Sequence, residues 1–369
     1  MQQLQGLETC NGSLLLPTPT RRDKIVAVLY PGGEAARREP RLLGCAENGL
    51  GLREMLQSQG HEYKVLTDKE QALDKELPTT DVLITTPFHP AYVTKERIAK
   101  GPNLKMVVTA GVGSDHVDLE AARQAGITVA EVTGSNVSSV AEHVVMQILI
   151  LVRNFVPAYQ QVVNGEWKVA DIAREAFDLE GKVVGTVGCG RIGQRICQRL
   201  QPFGVKMLYH DYQRLSPEQE RALGVTYVEL ESLVSQCDIV TINTPLTSRT
   251  DRLFDHRLLS SMKKGCYLVN TARGKIVDTE ALANALQSGH LAGYAGDVWY
   301  PQPAPPNHPW RRMPRHALTP HYSGTTLDAQ ARYAAGVKDI LTNFFQGKPL
   351  RPEDIIIQGG RLVSPSYHL

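Results

Sequence analysis

The sequence predicts an α/β protein built from two doubly wound, Rossmann-like domains with a cleft between them. Three observations support this fold class: apolar strand-like runs alternate with helical patterns, the alternation begins twice, and the chain has 369 residues. One hydrophobic core rarely grows beyond about 250–300 residues, so this length favours two domains. Hydrophobic residues make up 42% of the chain and charged residues 21%, as is typical of globular proteins.

The first unit is predicted from the continuous apolar runs KIVAVLY (24–30), DVLITT (81–86) and LKMVVTA (104–110). A predicted helix over 46–60 lies between the first two runs and ends at a glycine. Strands that are apolar on both faces are typical of a parallel sheet covered by helices on both sides.

A second unit begins with the predicted strand KVVGTVG (182–188) and repeats the alternation of strand and helix. Two successive series of this kind indicate two doubly wound units. The other predicted strands of this unit are 205–211, 238–244, 265–271 and 290–298, and its predicted helices include 191–204 and 278–289.

The domain boundaries follow from two predicted helices. The helical stretch 138–155 separates the two units, and the stretch 326–347 follows the last strand of the second unit, so that it can return to the first. We therefore expect a discontinuous substrate domain, 1–136 plus 323–369, and a nucleotide-binding domain, 137–322, inserted into it.

Composition excludes several classes of function. The net charge is +2 and there is no basic block, so no nucleic acid is expected as a partner. No apolar run approaches the roughly 20 residues of a membrane span, so no membrane is expected. The six cysteines form no CxxC pair and no Cys/His cluster, which predicts free thiols and no metal site.

Residues 1–22 are predicted to be a disordered leader. Their apolar stretch is too short for a secretory signal, and Glu8 with only two basic residues is atypical of a mitochondrial presequence. We therefore expect a cytoplasmic location, with the mitochondrion as the alternative.

A nucleotide site is predicted at GCGRIG, which follows a strand and opens a helix. In that context the first glycine makes a tight turn, the second lets a pyrophosphate approach the backbone, and the third lets helix and strand pack closely. Asp211 ends the next strand, where a carboxylate binds a ribose 2′-hydroxyl and repels a 2′-phosphate, so NAD is favoured over NADP. The expected cofactor-binding residues here are Gly188, Gly190, Arg191, Ile192, Gly193 and Asp211.

Arg273 and Asp297 lie at the ends of predicted strands, where doubly wound folds bind ligands, and His321 lies at the seam between the inserted domain and the final helix. Arg273 could bind a carboxylate through two parallel hydrogen bonds, or could form a surface ion pair. His321 could act in catalysis or be a core histidine, and Asp297 could be functional or a cap or turn residue.

Five segments closely resemble the NAD-dependent formate dehydrogenase family of the D-2-hydroxyacid dehydrogenase superfamily. The resemblance extends over about 24–360, and the PFHPAY and PQP motifs are specific to the formate branch. The segments are TTPFHPAYVT (85–94), TAGVGSDHVDL (109–119), EVTGSNVSSVAEHVVM (131–146), GDVWYPQPAP (296–305) and TPHYSGTTLDAQ (319–330).

The resemblance implies a role for each matching residue. It implies formate as the substrate, NAD as the cofactor, hydride transfer between them, and a homodimer with an interface near helix 138–155. The implied residues are Arg273, Asn136 and the Val112 backbone N–H for formate, His321 paired with Gln302 in catalysis, Pro87 and Phe88 as an apolar wall, Asp297 and Ser323 for the nicotinamide carboxamide, and Gly324 for the cofactor.

Gln302 suggests why no charged partner is needed. In hydroxyacid relatives a carboxylate raises the pKa of the histidine that takes the hydroxyl proton. Formate has no hydroxyl, and a carboxylate would stand beside an anionic substrate. We therefore hypothesise that Gln302 orients His321 without charging it.

Two alternative functions remain open from the sequence. One is a D-2-hydroxyacid dehydrogenase of the glyoxylate or hydroxypyruvate reductase type, which Gln302 and PFHPAY disfavour. The other is a non-catalytic NAD(H)-sensing scaffold, which the complete set of substrate residues disfavours.

Overall fold

The computed structural model describes residues 22–367, and it confirms the predicted fold class with two seven-stranded sheets. Residues 1–21, which include Cys10 and nearly all of the expected leader, lie outside the described part. In chain order the strands are β1 Lys24–Val28, β2 Glu62–Leu66, β3 Val82–Thr85, β4 Met106–Thr109, β5 Thr128–Glu131, β6 Val183–Val187, β7 Lys206–His210, β8 Val225–Tyr227, β9 Ile239–Ile242, β10 Cys266–Asn270, β11 Leu291–Gly296, β12 His316–Leu318, β13 Ile355–Gln358 and β14 Arg361–Leu362.

Helices cover both sheets and begin mostly at polar residues. Thr94, Asp118, Asp278 and Thr326 each accept a hydrogen bond from the backbone N–H three residues later, which satisfies one free donor of the first turn. The helices are α1 Gly33–Arg38, α2 Arg53–Ser58, α3 Gln71–Glu76, α4 Lys95–Lys100, α5 Leu119–Gln124, α6 Val137–Val152, α7 Phe155–Val163, α8 Val169–Ala173, α9 Arg191–Leu200, α10 Pro217–Leu223, α11 Leu230–Gln236, α12 His256–Ser261, α13 Thr279–Gln287 and α14 Leu327–Phe345.

The first sheet has the order β14-β13-β5-β4-β3-β1-β2, and β1 to β5 are parallel. β13 runs antiparallel to β5, so the end of the chain returns to this sheet. Alternate residues of β1 enter different cores: Ile25 and Ala27 pack on one face, Val26 and Val28 on the other. This packing explains why the strand reads as a continuous apolar run.

The second sheet has the order β12-β11-β10-β9-β6-β7-β8 and is parallel throughout. The chain moves from β6 toward β8 in one direction and from β9 toward β12 in the other. The order therefore reverses between β6 and β9. A crevice at the carboxyl ends of these two strands is the expected ligand position.

Two predicted helices differ from the structure. The predicted helix 46–60 is regular only from Arg53 to Ser58, because Gly49, Leu50 and Gly51 adopt positive φ angles. The predicted helix 138–155 ends at Val152, and the next helix, α7, is turned by 69° after Asn154 takes a left-handed conformation.

Within the described residues, no single helix has the length and apolar character needed to cross a membrane; only the bent pair formed by α6 and α7 reaches them together. The five described cysteines are buried free thiols.

Candidate active site

The glycine loop between β6 and α9 has the geometry of a nucleotide-binding turn. A Cβ atom on Gly193 would lie 2.4 Å from the carbonyl oxygen of Gly188, so only glycine lets the helix pack this closely. Gly188 has a φ of 91°, and its own Cβ would lie 2.7 Å from the backbone of Asn243. Beside Gly190, by contrast, a Cβ would meet nothing within 4 Å, so this part of the loop leaves room for a pyrophosphate.

Asp211 follows β7 and is hydrogen-bonded to the backbone of the glycine loop. Its carboxylate accepts hydrogen bonds from the backbone N–H groups of Cys189, at 2.6 Å, and Gln213, at 3.1 Å. A carboxylate has about four lone-pair positions, so two remain for a ribose hydroxyl.

The hydrogen bond with Cys197, together with burial, raises the pKa of the Cys189 thiol, which keeps it protonated and unreactive.

A cavity of about 230 Å³ lies between the two sheets. Most of its lining residues come from loops that follow strands of both sheets. It brings together most of the predicted site residues: Pro87, Phe88, Val112, Asn136, Gly190, Arg191, Ile192, Arg273, His321, Ser323 and Gly324.

Arg273 follows β10 and points across the cleft to the other domain. Its Nε donates to Asp115 Oδ1 at 2.6 Å, one Nη donates to the carbonyl of Ala272 at 2.7 Å, and the other reaches the carbonyl of Val112 at 3.4 Å. A guanidinium has five N–H groups, so two remain for an anion. A Cβ on Gly113 would lie 1.7 Å from an Nη of Arg273, so this approach requires glycine.

Asp115 stabilises the charge of Arg273 in a half-buried position. Burial opposes both charges, but each charge stabilises the other, so the pKa of Arg273 is raised and the pKa of Asp115 is lowered. The Arg273 guanidinium is therefore a permanent cation at the centre of the cleft.

Asn136 follows β5 and stands at the start of α6. Its side-chain Oδ1 is buried and has no hydrogen-bond partner among residues 22–367. A Cβ on Gly324 would lie 2.6 Å from Asn136 Nδ2, so the glycine makes room for this amide. A buried amide oxygen without a partner is costly, and a bound ligand would satisfy it.

The His321–Gln302 pair has one consistent hydrogen-bond arrangement. Gln302 Nε2 donates to the carbonyls of Pro87, at 3.2 Å, and Phe88, at 3.1 Å, so Gln302 Oε1 must accept from His321 Nδ1 at 2.8 Å. Burial lowers the pKa of His321 to about 4, partly offset by the charge of Asp297. The imidazole is therefore neutral at pH 7, with its proton on Nδ1 and a lone pair on Nε2.

Asp297 lies outside the main cavity, as do Gly188, Gly193, Asp211 and Gln302. Its carboxylate is fully buried and accepts from the Thr319 hydroxyl at 2.6 Å, the Tyr322 N–H at 3.0 Å and the Ser323 N–H at 2.9 Å. Asp297 therefore braces the loop that carries His321, and it does not line the main cavity.

Three titratable residues that line the cavity were not predicted as site residues: Asp115, Glu131 and Tyr367. Glu131 accepts from the N–H of Gly113 at 2.9 Å and from the Tyr367 hydroxyl at 3.0 Å, while Tyr367 accepts from the N–H of Ser114 at 2.7 Å. Asp115 could have been found, because it lies within the segment 109–119 that carries the family resemblance. Tyr367 gives no local signal, since it reaches the site only through the fold.

Within residues 22–367, no group of three or more His, Cys, Asp or Glu side chains is placed to hold a metal ion.

The chain is similar to known proteins over nearly its whole length. A family model described as the NAD-binding domain of D-isomer-specific 2-hydroxyacid dehydrogenases matches residues 145–323. The mitochondrial formate dehydrogenase of Solanum tuberosum is 58% identical over 348 residues, which are 93% of this chain and 91% of that protein.

Two solved structures agree with the sequence match. A formate dehydrogenase from Granulicella superposes with a TM-score of 0.89 and 46% identity over 92% of this chain and 99% of that one. The NAD-dependent formate dehydrogenase of Staphylococcus aureus in complex with NAD gives a TM-score of 0.86 and 51% identity over 91% and 99%. With this identity over nine tenths of its length, the chain belongs to the formate dehydrogenase family and carries an NAD-binding domain of the D-2-hydroxyacid dehydrogenase type.

Proposed function

We propose that this protein oxidises formate to CO2 and passes the hydride to NAD⁺. The observation that carries this proposal is the pairing of a charged Arg273, with two free N–H groups, and a neutral His321 held by an amide. Such a site binds a small carboxylate, but it has no histidine–carboxylate pair that could act as a general base. Formate oxidation needs none, because formate has no proton to remove.

The protein's own residues supply binding and position. Arg273 holds the formate oxygens through two N–H groups. The Asn136 amide lines the same cavity, where its Oδ1 has no partner among residues 22–367, and it helps to position the bound ligands. NAD⁺, when bound, supplies the hydride acceptor. Pro87 and Phe88 form an apolar wall that excludes water and strengthens the polar contacts.

The test is NADH absorbance with saturating NAD and formate, D-lactate, D-glycerate or buffer. Turnover with formate alone supports the proposal. Turnover with the hydroxyacids would favour the reductase alternative, and NAD binding without any turnover would favour the scaffold alternative.

We infer a preference for NAD over NADP from the Asp211 carboxylate. We expect kcat/KM for NAD to exceed that for NADP, and Asp211→Asn to raise the NADP/NAD ratio by about tenfold, because it removes about 1.4 kcal/mol or more of repulsion from a 2′-phosphate. Faster reduction of NADP than of NAD by the unaltered protein would refute this inference.

We propose that the protein is a homodimer whose interface includes the segment 155–169. The family resemblance implies an interface near helix 138–155, and nine of the sixteen residues of α6 are buried within its own subunit. Large apolar side chains are exposed just after α6. They are Phe155, Tyr159, Val162, Val163, Trp167 and Val169, between 53% and 81% exposed. A second copy of the chain would cover them. Light scattering should give twice the 40.7 kDa chain mass, and Trp167→Glu should yield monomer; a wild-type monomer would refute the proposal.

We propose the boundaries 1–136 plus 323–369 and 137–322 for the two domains. Membership of the two sheets supports them, because β1 to β5 with β13 and β14 form one sheet and β6 to β12 the other. A fragment of residues 137–322 should fold and bind NAD on its own, and failure to do so would count against these boundaries. We also propose a cytoplasmic location, although the potato relative is named mitochondrial; imaging the full chain with a C-terminal fluorescent tag would decide between the two.

A further inference from the structure

Gln302 is held across the cleft by its backbone as well as by its side chain. Its carbonyl oxygen accepts a hydrogen bond from Lys69 Nζ at 3.2 Å, and its side-chain amide donates to the carbonyls of Pro87 and Phe88. Lys69 follows β2, and Pro87 and Phe88 follow β3, whereas Gln302 follows β11 of the other sheet. Three hydrogen bonds from the first sheet's loops therefore meet at one residue of the second.

The loop that carries Lys69 is fixed at its base. The Asp68 carboxylate accepts hydrogen bonds from the backbone N–H groups of Glu70, at 2.8 Å, and Ala72, at 3.2 Å, which join the loop to the start of α3. Hydrogen bonds from the backbone to a short acidic side chain just before it stabilise a turn. The Lys69 side chain therefore starts from a defined backbone position.

The Lys69 side chain is turned toward the cleft. Lys69 is half-buried, although Thr67, Asp68 and Glu70 around it are exposed. In the described part of the chain, its ammonium hydrogen-bonds to the Gln302 carbonyl alone. Burial lowers the pKa of the ammonium, so this orientation has a cost that the hydrogen bond to the carbonyl offsets.

The orientation of His321 depends on where the Gln302 amide stands. Gln302 Oε1 accepts from His321 Nδ1 at 2.8 Å, and the amide extends from the backbone that Lys69 holds. Displacing a catalytic group by about 1 Å can lower a rate about 100-fold. A small movement of the Gln302 backbone is therefore felt at the imidazole.

We propose that Lys69 is a positioning residue for the reaction: by holding the Gln302 carbonyl across the cleft, it keeps the amide in place to orient His321. This role rests on the proposed function, in which the neutral His321 belongs to the formate site. Lys69 does not line the main cavity, so it acts through Gln302 and does not touch the substrate. Its charge makes it a strong donor to the carbonyl.

The test compares Lys69→Met, which removes the donor and keeps an apolar stem, with Lys69→Arg, which keeps a charged donor. We expect Lys69→Met to lower kcat/KM for formate about tenfold, as is typical for the loss of one hydrogen bond to a charged group, with the Kd for NAD unchanged. Lys69→Arg should recover most of this loss. Lys75→Met is the matched control and should behave as the wild type, because it makes the same change at an exposed lysine of α3.

A double-mutant cycle tests whether Lys69 acts through the amide. In a Gln302→Leu background there is no amide to orient, so Lys69→Met should lower kcat/KM further by less than about twofold. A full tenfold loss in that background would overturn the proposal, because Lys69 would then act by another route. Wild-type kcat/KM in Lys69→Met, or an equal loss in Lys75→Met, would also overturn it.

Failure of the proposed function would be a distinct result, seen when the wild type makes no NADH from formate. The positioning role is then read from the Nδ1 proton of His321, by NMR of protein labelled with ¹⁵N-histidine. A proton signal that persists in Lys69→Arg and Lys75→Met but broadens in Lys69→Met would support the role. Identical spectra in the wild type and Lys69→Met would overturn it.

Discussion

Replacing Gln302 by glutamate separates the orienting role of this side chain from any electrostatic one. In the wild type, Gln302 donates to two backbone carbonyls and accepts from His321 Nδ1 at 2.8 Å. Glutamate keeps the acceptor, loses both donors and adds a negative charge. The neutral pair then becomes an ion pair at every pH at which His321 is protonated.

The size of the effect follows from the 2.8 Å distance between the two side chains. Two opposite unit charges at that separation attract by about 6 kcal/mol at an effective dielectric constant of about 20. Repulsion from the carbonyls of Pro87 and Phe88 removes part of this attraction. Even half of it raises the pKa of His321 by about 2 units, since one unit corresponds to about 1.4 kcal/mol. We therefore expect the pKa of His321 to rise from about 4 into the range near 6.

The assay is kcat/KM for formate between pH 5 and 9. The wild type should give a flat profile, because His321 stays neutral throughout this range. In Gln302→Glu, the charge becomes uncompensated above the new pKa and repels formate. At about 6 Å this repulsion is about 3 kcal/mol, so kcat/KM should fall about 100-fold from its acid plateau.

Gln302→Leu is the control, because it removes the acceptor without adding a charge. Gln302→Leu should lower kcat/KM by the same factor at every pH, so that its profile stays flat. A flat profile for Gln302→Glu would refute the electrostatic reasoning, whatever the absolute rate.

Three further predictions concern the same cleft. Arg273→Lys should lower kcat/KM for formate by about 100-fold or more with NAD binding retained, because an ammonium lacks the planar fork; steady-state kinetics and NAD titration would test this. Asn136→Asp should be more damaging than Asn136→Ala, because a carboxylate there repels the substrate; equal losses in kcat/KM would contradict this. Burial lowers the pKa of both His116 and His321 to about 4, so the unfolded chain binds more protons than the folded one between about pH 4 and 6.5. The free energy of unfolding should therefore fall as the pH drops through this window, by up to about 3 kcal/mol per pH unit. Urea unfolding at several pH values would measure this slope.

The fold was predictable because β1 to β12 run parallel to one another within two sheets that are covered on both faces. Residues 25–28 of β1 and 239–242 of β9 are then buried at every position, and such largely apolar runs are easily recognised. Short strands at or near the sheet edges carry no such signal: β2 has exposed alternate residues, and β12 has three half-buried residues. Helix 46–60 was overestimated because spacing alone does not reveal the positive φ of Leu50, which is a non-glycine residue.

The site was predictable only as far as each residue followed a strand or lay within a motif. Arg273 and His321 meet in the cleft, as strand-end positions in a doubly wound fold suggest. The three hydrogen bonds that commit Asp297 to its own loop could not be read from its position. Tyr367 lies 236 residues from Glu131 along the chain, and only the return of β13 to the first sheet brings them together.

The neutral state of His321 depends on the backbone as much as on Gln302. The carbonyls of Pro87 and Phe88 occupy the amide donors, and this leaves only the oxygen to face the imidazole. Asp297 holds the His321 loop from the other side through Tyr322 and Ser323. Since both supports come from strand-end loops of different domains, the orientation of the imidazole depends on the two domains being together. A mutation that loosens the domain contact should therefore lower formate turnover before it affects NAD binding, which uses the inserted domain's own glycine loop.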